Sequence, residues 1–95
     1  MNVGDCYKTE IVGGFRYYRI VSSRGSGMFI ADEVTITNSR ITIEMDSRVM
    51  DWYFRSFSQI NPVEYEHAVQ NAIWTLELVK IGEKRNGISQ ATQKV

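Results

Sequence analysis

Only one of the 95 residues is a cysteine, Cys6, so no disulfide bond can form within the chain. The fold therefore does not depend on an oxidising compartment, and a cytoplasmic location is the default expectation. No segment approaches the ~18 consecutive apolar residues of a membrane-spanning helix, and no N-terminal stretch joins a basic segment to a long apolar one. The sequence predicts neither a membrane-embedded nor a visibly secreted protein.

An excess of charge of either sign is also missing, because 11 basic residues balance 11 acidic ones. No overall electrostatic field would attract nucleic acid or an anionic membrane. Hydrophobic residues make up 43% of the chain and aromatic residues 12%, which is typical of a globular protein and excludes a disordered one. We expect one domain over residues 1–82, followed by a polar C-terminal tail over residues 83–95.

The best-defined local structure is a β-hairpin over residues 28–45, with a two-residue turn at residues 38–39. Counting outward from this turn places apolar side chains on one face and threonines on the other. The apolar pairs are Ile36 with Ile41 and Val34 with Ile43. The same register sets Glu33 opposite Glu44, a like-charge pair that predicts either a nearby arginine or a splayed strand end.

An earlier hairpin is predicted with its turn at residues 13–14, where glycine supplies positive φ angles. A two-residue loop at this point sets Lys8 opposite Arg19, which is a repulsive pair. Apolar residues then fall on both faces of the second strand, which indicates a strand buried on both sides or a β-bulge. Residues 22–27 would form a flexible connection to the next hairpin.

The segment over residues 46–58 fits either a helix capped by Ser47 or a strand. Its alternating aromatic residues favour a fifth strand over residues 51–59. Five short strands followed by one C-terminal helix predict an α+β fold: a small bent antiparallel sheet, or a half-open barrel of the SH3-like kind, with the helix over an open end or face.

The C-terminal helix is predicted over residues 61–82, with Asn61 as N-cap, Pro62 in the first turn, Glu64 at the capping-box position and Gly82 as the stop. At ~100° per residue, one apolar stripe should face the core. Its members are Tyr65, Ala68, Val69, Ala72, Ile73, Leu76 and Val79.

A second stripe lies about 180° away on the same helix, although an isolated small domain needs only one. It consists of Val63, His67, Gln70, Trp74, Leu78 and Ile81. Tryptophan is the residue type most enriched at binding hot spots, so Trp74 is the expected anchor of a protein interface. The alternative is that the tail or the aromatic segment of residues 52–57 covers this stripe within the same chain.

A different surface interleaves aromatic and basic side chains in one strand and the loop after it. Its members are Arg16, Tyr17, Tyr18, Arg19 and Arg24. Such a pattern lets bases stack and phosphates pair, which favours nucleic-acid binding, whereas the zero net charge disfavours it.

Residues with metal-binding or catalytic chemistry are isolated in the sequence. His67 is the only histidine, and no second histidine or cysteine is spaced to share a metal ion with it. Cys6 belongs to no Cys-X-X-Cys motif and is expected to be a buried, inert thiol. We therefore predict no cofactor, no metal site and no catalytic residue.

The sequence thus favours a non-catalytic protein-interaction module, a regulator or inhibitor of bacterial or phage type. It would act by occluding a partner protein or by pairing with itself as a homodimer. The alternative is a small nucleic-acid-binding β-barrel that uses the Arg/Tyr strand surface.

Overall fold

The computed structural model describes the backbone of residues 1–94 and the side chains of residues 1–79. Within this part of the chain, five antiparallel strands form one sheet and one helix follows them. The strands are β1 (Cys6–Ile11), β2 (Gly14–Gly25), β3 (Met28–Thr37), β4 (Ile41–Met50) and β5 (Ser58–Ile60), and the helix is α1 (Pro62–Lys94). The strand order is β4-β3-β2-β1-β5, so the sheet is open. The predicted α+β fold is confirmed.

The β3–β4 hairpin has the predicted register, including the Glu33–Glu44 pair. The like-charge pair predicted either a nearby arginine or a splayed strand end. The arginine is Arg16 on β2, whose Nε lies 3.0 Å from Glu33 Oε1. One of the two opposed carboxylates is therefore compensated by a neighbouring strand.

The predicted register of the β1–β2 hairpin is wrong. Lys8 pairs with Tyr17 and not with Arg19. The two-residue turn lies at residues 12–13, one position earlier than predicted, because the second glycine of the pair belongs to the strand and not to the turn. The shift removes the repulsive pair that the predicted register contained.

The two adjacent glycines have different physical roles. Gly13 has a φ of +84°, which glycine adopts without strain in the turn. Gly14 begins β2 so close to β3 that a Cβ atom there would lie 2.0 Å from the carbonyl oxygen of Ile36. The turn ends at Gly13 because the backbones of β2 and β3 approach each other closely at Gly14. Sequence spacing does not reveal this approach.

The connection between β2 and β3 is shorter than predicted. β2 continues to Gly25, and only Ser26 and Gly27 form the turn, both with positive φ. The register shifts after Ile20 and again after Ser23, so β2 bends where a flexible connection over residues 22–27 was expected.

The predicted strand over residues 51–59 is also wrong for most of its length. Residues Asp51–Phe54 form a 3₁₀ helix, and only Ser58–Ile60 join the sheet, as β5. The Asp51 N–H donates to the Gly27 carbonyl at 2.8 Å, one pair beyond Met28 and Met50, and the chain leaves the β3–β4 ladder after this contact. The aromatic side chains then gather into one cluster instead of alternating between two faces.

Helix α1 begins as predicted, because the Asn61 side-chain oxygen accepts the Val63 N–H at 2.8 Å. Glu64 does not complete a capping box, since its carboxylate accepts a hydrogen bond from Lys8 Nζ at 2.7 Å. The helix also does not end at Gly82 but continues to Lys94. The division into a domain over residues 1–82 and a tail stays a prediction.

Two apolar clusters pack on opposite faces of the sheet. The helix-side cluster has the buried residues Cys6, Val34, Tyr65 and Ala72. The aromatic cluster has the buried residues Tyr7, Tyr18, Ile20, Ala31 and Phe54. Because neighbouring residues of a strand face opposite ways, β2 supplies Tyr17 to the first cluster and Tyr18 to the second. The prediction of a strand buried on both sides is confirmed.

The core stripe of α1 is only partly as predicted. Tyr65, Ala68 and Ala72 are buried against the sheet, whereas Ile73 and Val79 are exposed. Val79 borders a cleft beside the β3–β4 turn, where the sheet ends, so the helix has little left to pack against at that point.

Candidate protein-interaction site

The candidate site is the side of α1 that faces away from the sheet. We call it the outer face and define it by Val63, His67, Gln70, Trp74 and Leu78. The N-cap and the buried residues Tyr65 and Ala72 fix the rotation of the helix, so positions half a turn away from them must point outward. The sixth predicted member, Ile81, lies outside the residues whose side chains the structure describes.

All five members of the outer face are exposed. Trp74 has 68% of its surface accessible and Leu78 has 52%. Within residues 1–79, neither the aromatic cluster nor any other segment covers this face. Exposed large apolar side chains that lie side by side, rather than scattered singly, mark interaction surfaces.

Acidic residues border the outer face on both sides, and basic residues of the sheet pair with two of them, Glu64 and Glu66. Lys8 Nζ lies 2.7 Å from Glu64 Oε2, and the Arg19 guanidinium pairs with the Glu66 carboxylate. These ion pairs draw both carboxylates toward the sheet. The outer face itself carries no Asp, Glu, Lys or Arg.

The five residues of the alternative nucleic-acid surface are not brought together. Arg16 and Tyr18 lie on the face of β2 that carries the aromatic cluster, while Tyr17 and Arg19 lie on the helix side. Tyr18 is only 1% exposed, so no base can stack on it. Arg24 is exposed further along β2. The alternation of strand side chains separates what is continuous in sequence.

A cleft of about 380 Å³ lies on the opposite side of the molecule, between β3, β4 and the 3₁₀ helix. Its lining includes Trp52, Tyr53, Glu33 and Glu44, which the sequence analysis did not join into a site. The like-charge pair Glu33–Glu44 was the one signal of it in the sequence. The contribution of Trp52 and Tyr53 to the cleft could not be recognised, because residues 51–54 were interpreted as part of a strand.

Burial favours the neutral forms of the thiol and phenol groups in the core. Burial raises the pKa of the Cys6 thiol, and Sγ lies 3.5 Å from the Gly4 carbonyl oxygen as a hydrogen-bond donor. Burial and the hydrogen bond to Tyr53 raise the pKa of Tyr18. Neither group has the lowered pKa of an activated nucleophile or the exposure that a substrate needs.

A metal site is not visible in the described part of the chain, where no three His, Cys, Asp or Glu side chains cluster in a suitable way. Nor does that part contain a helix with the length and apolarity needed to cross a membrane. Comparison of the chain with known protein families, curated proteins and solved structures finds no match. The geometry of the molecule is therefore the basis on which a function can be proposed.

Proposed function

We propose that the protein is a non-catalytic protein-interaction module whose outer face binds a second copy of the same chain. The observation that carries this proposal is the exposure of Trp74, Leu78 and Val63 along one side of a helix whose other side is already packed. Burying apolar surface of this kind is worth roughly 25 cal/mol per Å² before the costs of association.

The charges favour a second copy as the occupant. In a twofold-symmetric contact each residue near the axis meets its own counterpart, so a charged face would repel itself. The outer face carries no Asp, Glu, Lys or Arg, and two of the bordering carboxylates, those of Glu64 and Glu66, are compensated by Lys8 and Arg19. A face of this composition is self-complementary.

The length of the face is also suitable. From Val63 to Leu78 it runs about 24 Å along the helix at 1.5 Å per residue. Two such faces packed side by side, with a central tryptophan from each chain, have the arrangement of an interface with a buried aromatic anchor and a polar rim.

The test is the solution mass by light scattering over a concentration series. We expect a species of twice the 10.9 kDa chain mass at high concentration. Trp74→Ala removes one tryptophan from each chain and should weaken the dimer at least about 30-fold, the effect of losing a single hot spot worth about 2 kcal/mol. The matched control is Trp52→Ala, since Trp52 is also exposed (60%) but lies on the other side of the sheet.

Three results would contradict the proposal. A wild-type chain that stays monomeric to about 1 mM, a concentration at which even weak specific dimers form, excludes a second copy as the occupant. Equal weakening by Trp52→Ala places the contact elsewhere. Unfolding of the Trp74→Ala variant, detected by circular dichroism, would mean that Trp74 belongs to the core.

A further inference from the structure

We propose that the cleft between β3, β4 and the 3₁₀ helix binds the guanidinium group of an arginine side chain presented by a partner protein. This second site does not depend on the outer face. Three features of the cleft support this proposal: an aromatic corner, a carboxylate with no ion-pair partner within residues 1–79, and a volume of about 380 Å³, which leaves room for a side chain.

The aromatic corner consists of Trp52 and Tyr53. Their ring centroids are 6.4 Å apart and their planes are nearly perpendicular, at 88°. The Tyr53 hydroxyl lies 2.8 Å from the hydroxyl of the buried Tyr18, which fixes the orientation of one wall. Trp52 is 60% exposed at the mouth of the cleft, so its ring is available to a ligand. A cation over such a ring is attracted by the negative face of the π-system.

The carboxylates supply the charge. Glu33 pairs with Arg16 at 3.0 Å and accepts a hydrogen bond from the Thr35 hydroxyl at 3.3 Å. Its cross-strand neighbour Glu44 has no ion-pair partner within residues 1–79. A bound cation would relieve the repulsion between the two carboxylates and neutralise the second of them.

The basic residue at the cleft does not already fill this role. Arg48 is part of the lining, but within residues 1–79 it forms no ion pair with Glu33 or Glu44. The lining therefore contains two acidic side chains and one basic one. Because Arg16 already pairs with Glu33, the carboxylate that this lining offers to a cation is that of Glu44.

The combination of a ring face and a carboxylate favours guanidinium over ammonium. Guanidinium is planar, stacks on aromatic rings and donates two parallel hydrogen bonds to one carboxylate. An ammonium group is more strongly hydrated and loses more on entering a half-enclosed cleft. The expected ligand is thus an arginine in an exposed segment of another protein.

The test uses two peptides and two indole signals. The ¹⁵N-labelled chain of 95 residues is titrated with acetyl-Gly-Arg-Gly-amide to about 10 mM, and in parallel with the peptide in which uncharged citrulline replaces arginine. The chain has two tryptophans, so Trp52 and Trp74 each give one indole N–H signal, assigned with Trp74→Phe. We expect the arginine peptide to move the Trp52 signal in a saturable way and leave Trp74 unchanged, while citrulline has little effect.

Two variants measure separately what the Glu44 charge and the Trp52 ring contribute to arginine binding. Glu44→Gln should weaken arginine binding about fivefold and reduce its salt dependence. Trp52→Ala, which lacks the indole signal and is followed by the backbone amide signals of Glu44, Val49 and Tyr53 in the cleft lining, should weaken it by a similar factor. Glu10→Gln is the matched control, since Glu10 is exposed on β1 and does not line the cleft. Trp74→Ala should leave binding unchanged, which keeps this result distinct from the test of the dimer.

The proposal is overturned if the two peptides shift the Trp52 signal equally, because the cleft would then recognise only apolar surface. It is also overturned if the arginine peptide causes no shift, or if Glu10→Gln weakens binding as much as Glu44→Gln. The amide spectrum of each variant shows whether its fold is retained.

Discussion

Tyr65 is the residue on which the contact between helix and sheet is centred. Its side chain is 2% exposed within the helix-side cluster, and the Arg19 guanidinium lies over its ring at 4.9 Å from the centroid. Burial raises the pKa of Tyr65 to about 12, and the nearby positive charge of Arg19 opposes the shift without cancelling it. The helix is therefore attached to the sheet through a phenol that must stay neutral.

The raised pKa predicts a loss of stability at alkaline pH. An unfolded tyrosine loses its proton near pH 10, so the folded state holds more protons than the unfolded state between pH 10 and about 12. The contribution of Tyr65 is complete below pH 10 and is lost as pH rises through that range. Urea unfolding at pH 8 and pH 11 should show a loss about 1 kcal/mol larger in the wild type than in Tyr65→Phe. Equal losses would contradict the assignment.

The roles of individual residues could be predicted from the sequence at some positions and not at others. Asn61 was identified correctly as the N-cap, because capping needs only a local hydrogen bond within one turn. The role of Gly14 was assigned incorrectly, because it depends on the distance to a strand more than 20 residues away. The buried state of Cys6 was expected from residue type alone and is confirmed.

At the scale of the elements, the pairing of β2 with β3 leaves no room for a methyl group at Gly14. We predict that Gly14→Ala destabilises the fold by about 3 kcal/mol or more, since its Cβ would meet the Ile36 carbonyl oxygen at 2.0 Å and the strands must separate. Chemical denaturation measures the effect. The control is Val12→Ala two residues earlier, where 99% exposure predicts a change within about 0.5 kcal/mol. Similar effects of the two substitutions would contradict this account of Gly14.

The elements differ in how well their sequences define them. The β3–β4 hairpin alternates apolar residues with threonine, so only one register places the apolar set on one face. In β2 apolar residues occupy both faces, and such a pattern fits more than one register. The aromatic residues of the 3₁₀ helix satisfy a strand pattern equally well, and only their joint packing around Tyr18 decides between the two.

At the scale of the whole molecule, the two clusters share one sheet and should not unfold separately. Phe54 is 4% exposed and its ring packs against Tyr7 at 5.0 Å and Tyr18 at 5.2 Å. Phe54→Ala should therefore cost about 3–5 kcal/mol. Although Phe54 lies on the face opposite α1, we expect the helical far-UV signal and the aromatic near-UV signal to be lost in one transition.

Trp52→Ala, two positions before Phe54, is the control for this experiment. Its exposed side chain predicts little change in the midpoint of unfolding. A helical signal that melts separately from the aromatic signal in Phe54→Ala would mean that the two clusters are independent units.

The two proposed binding surfaces also belong to this scale, and they were not equally recognisable in the sequence. The outer face lies on one continuous helix, so its spacing could be recognised from a single segment. The cleft is assembled from β3, β4 and the 3₁₀ helix, and none of these segments carries its chemistry alone. Sites of this second kind become visible only when the strands are placed side by side.

The joint between β5 and α1 determines how the molecule responds to mechanical load. A single residue, Asn61, separates the strand from the helix, and β5 is held by only three residue pairs to β1, whereas β1 and β2 share six. Tension applied to α1 passes directly to the short ladder and to the Lys8–Glu64 and Arg19–Glu66 contacts. The helix and β5 should therefore detach as one piece, leaving the four remaining strands paired and the edge of β1 open.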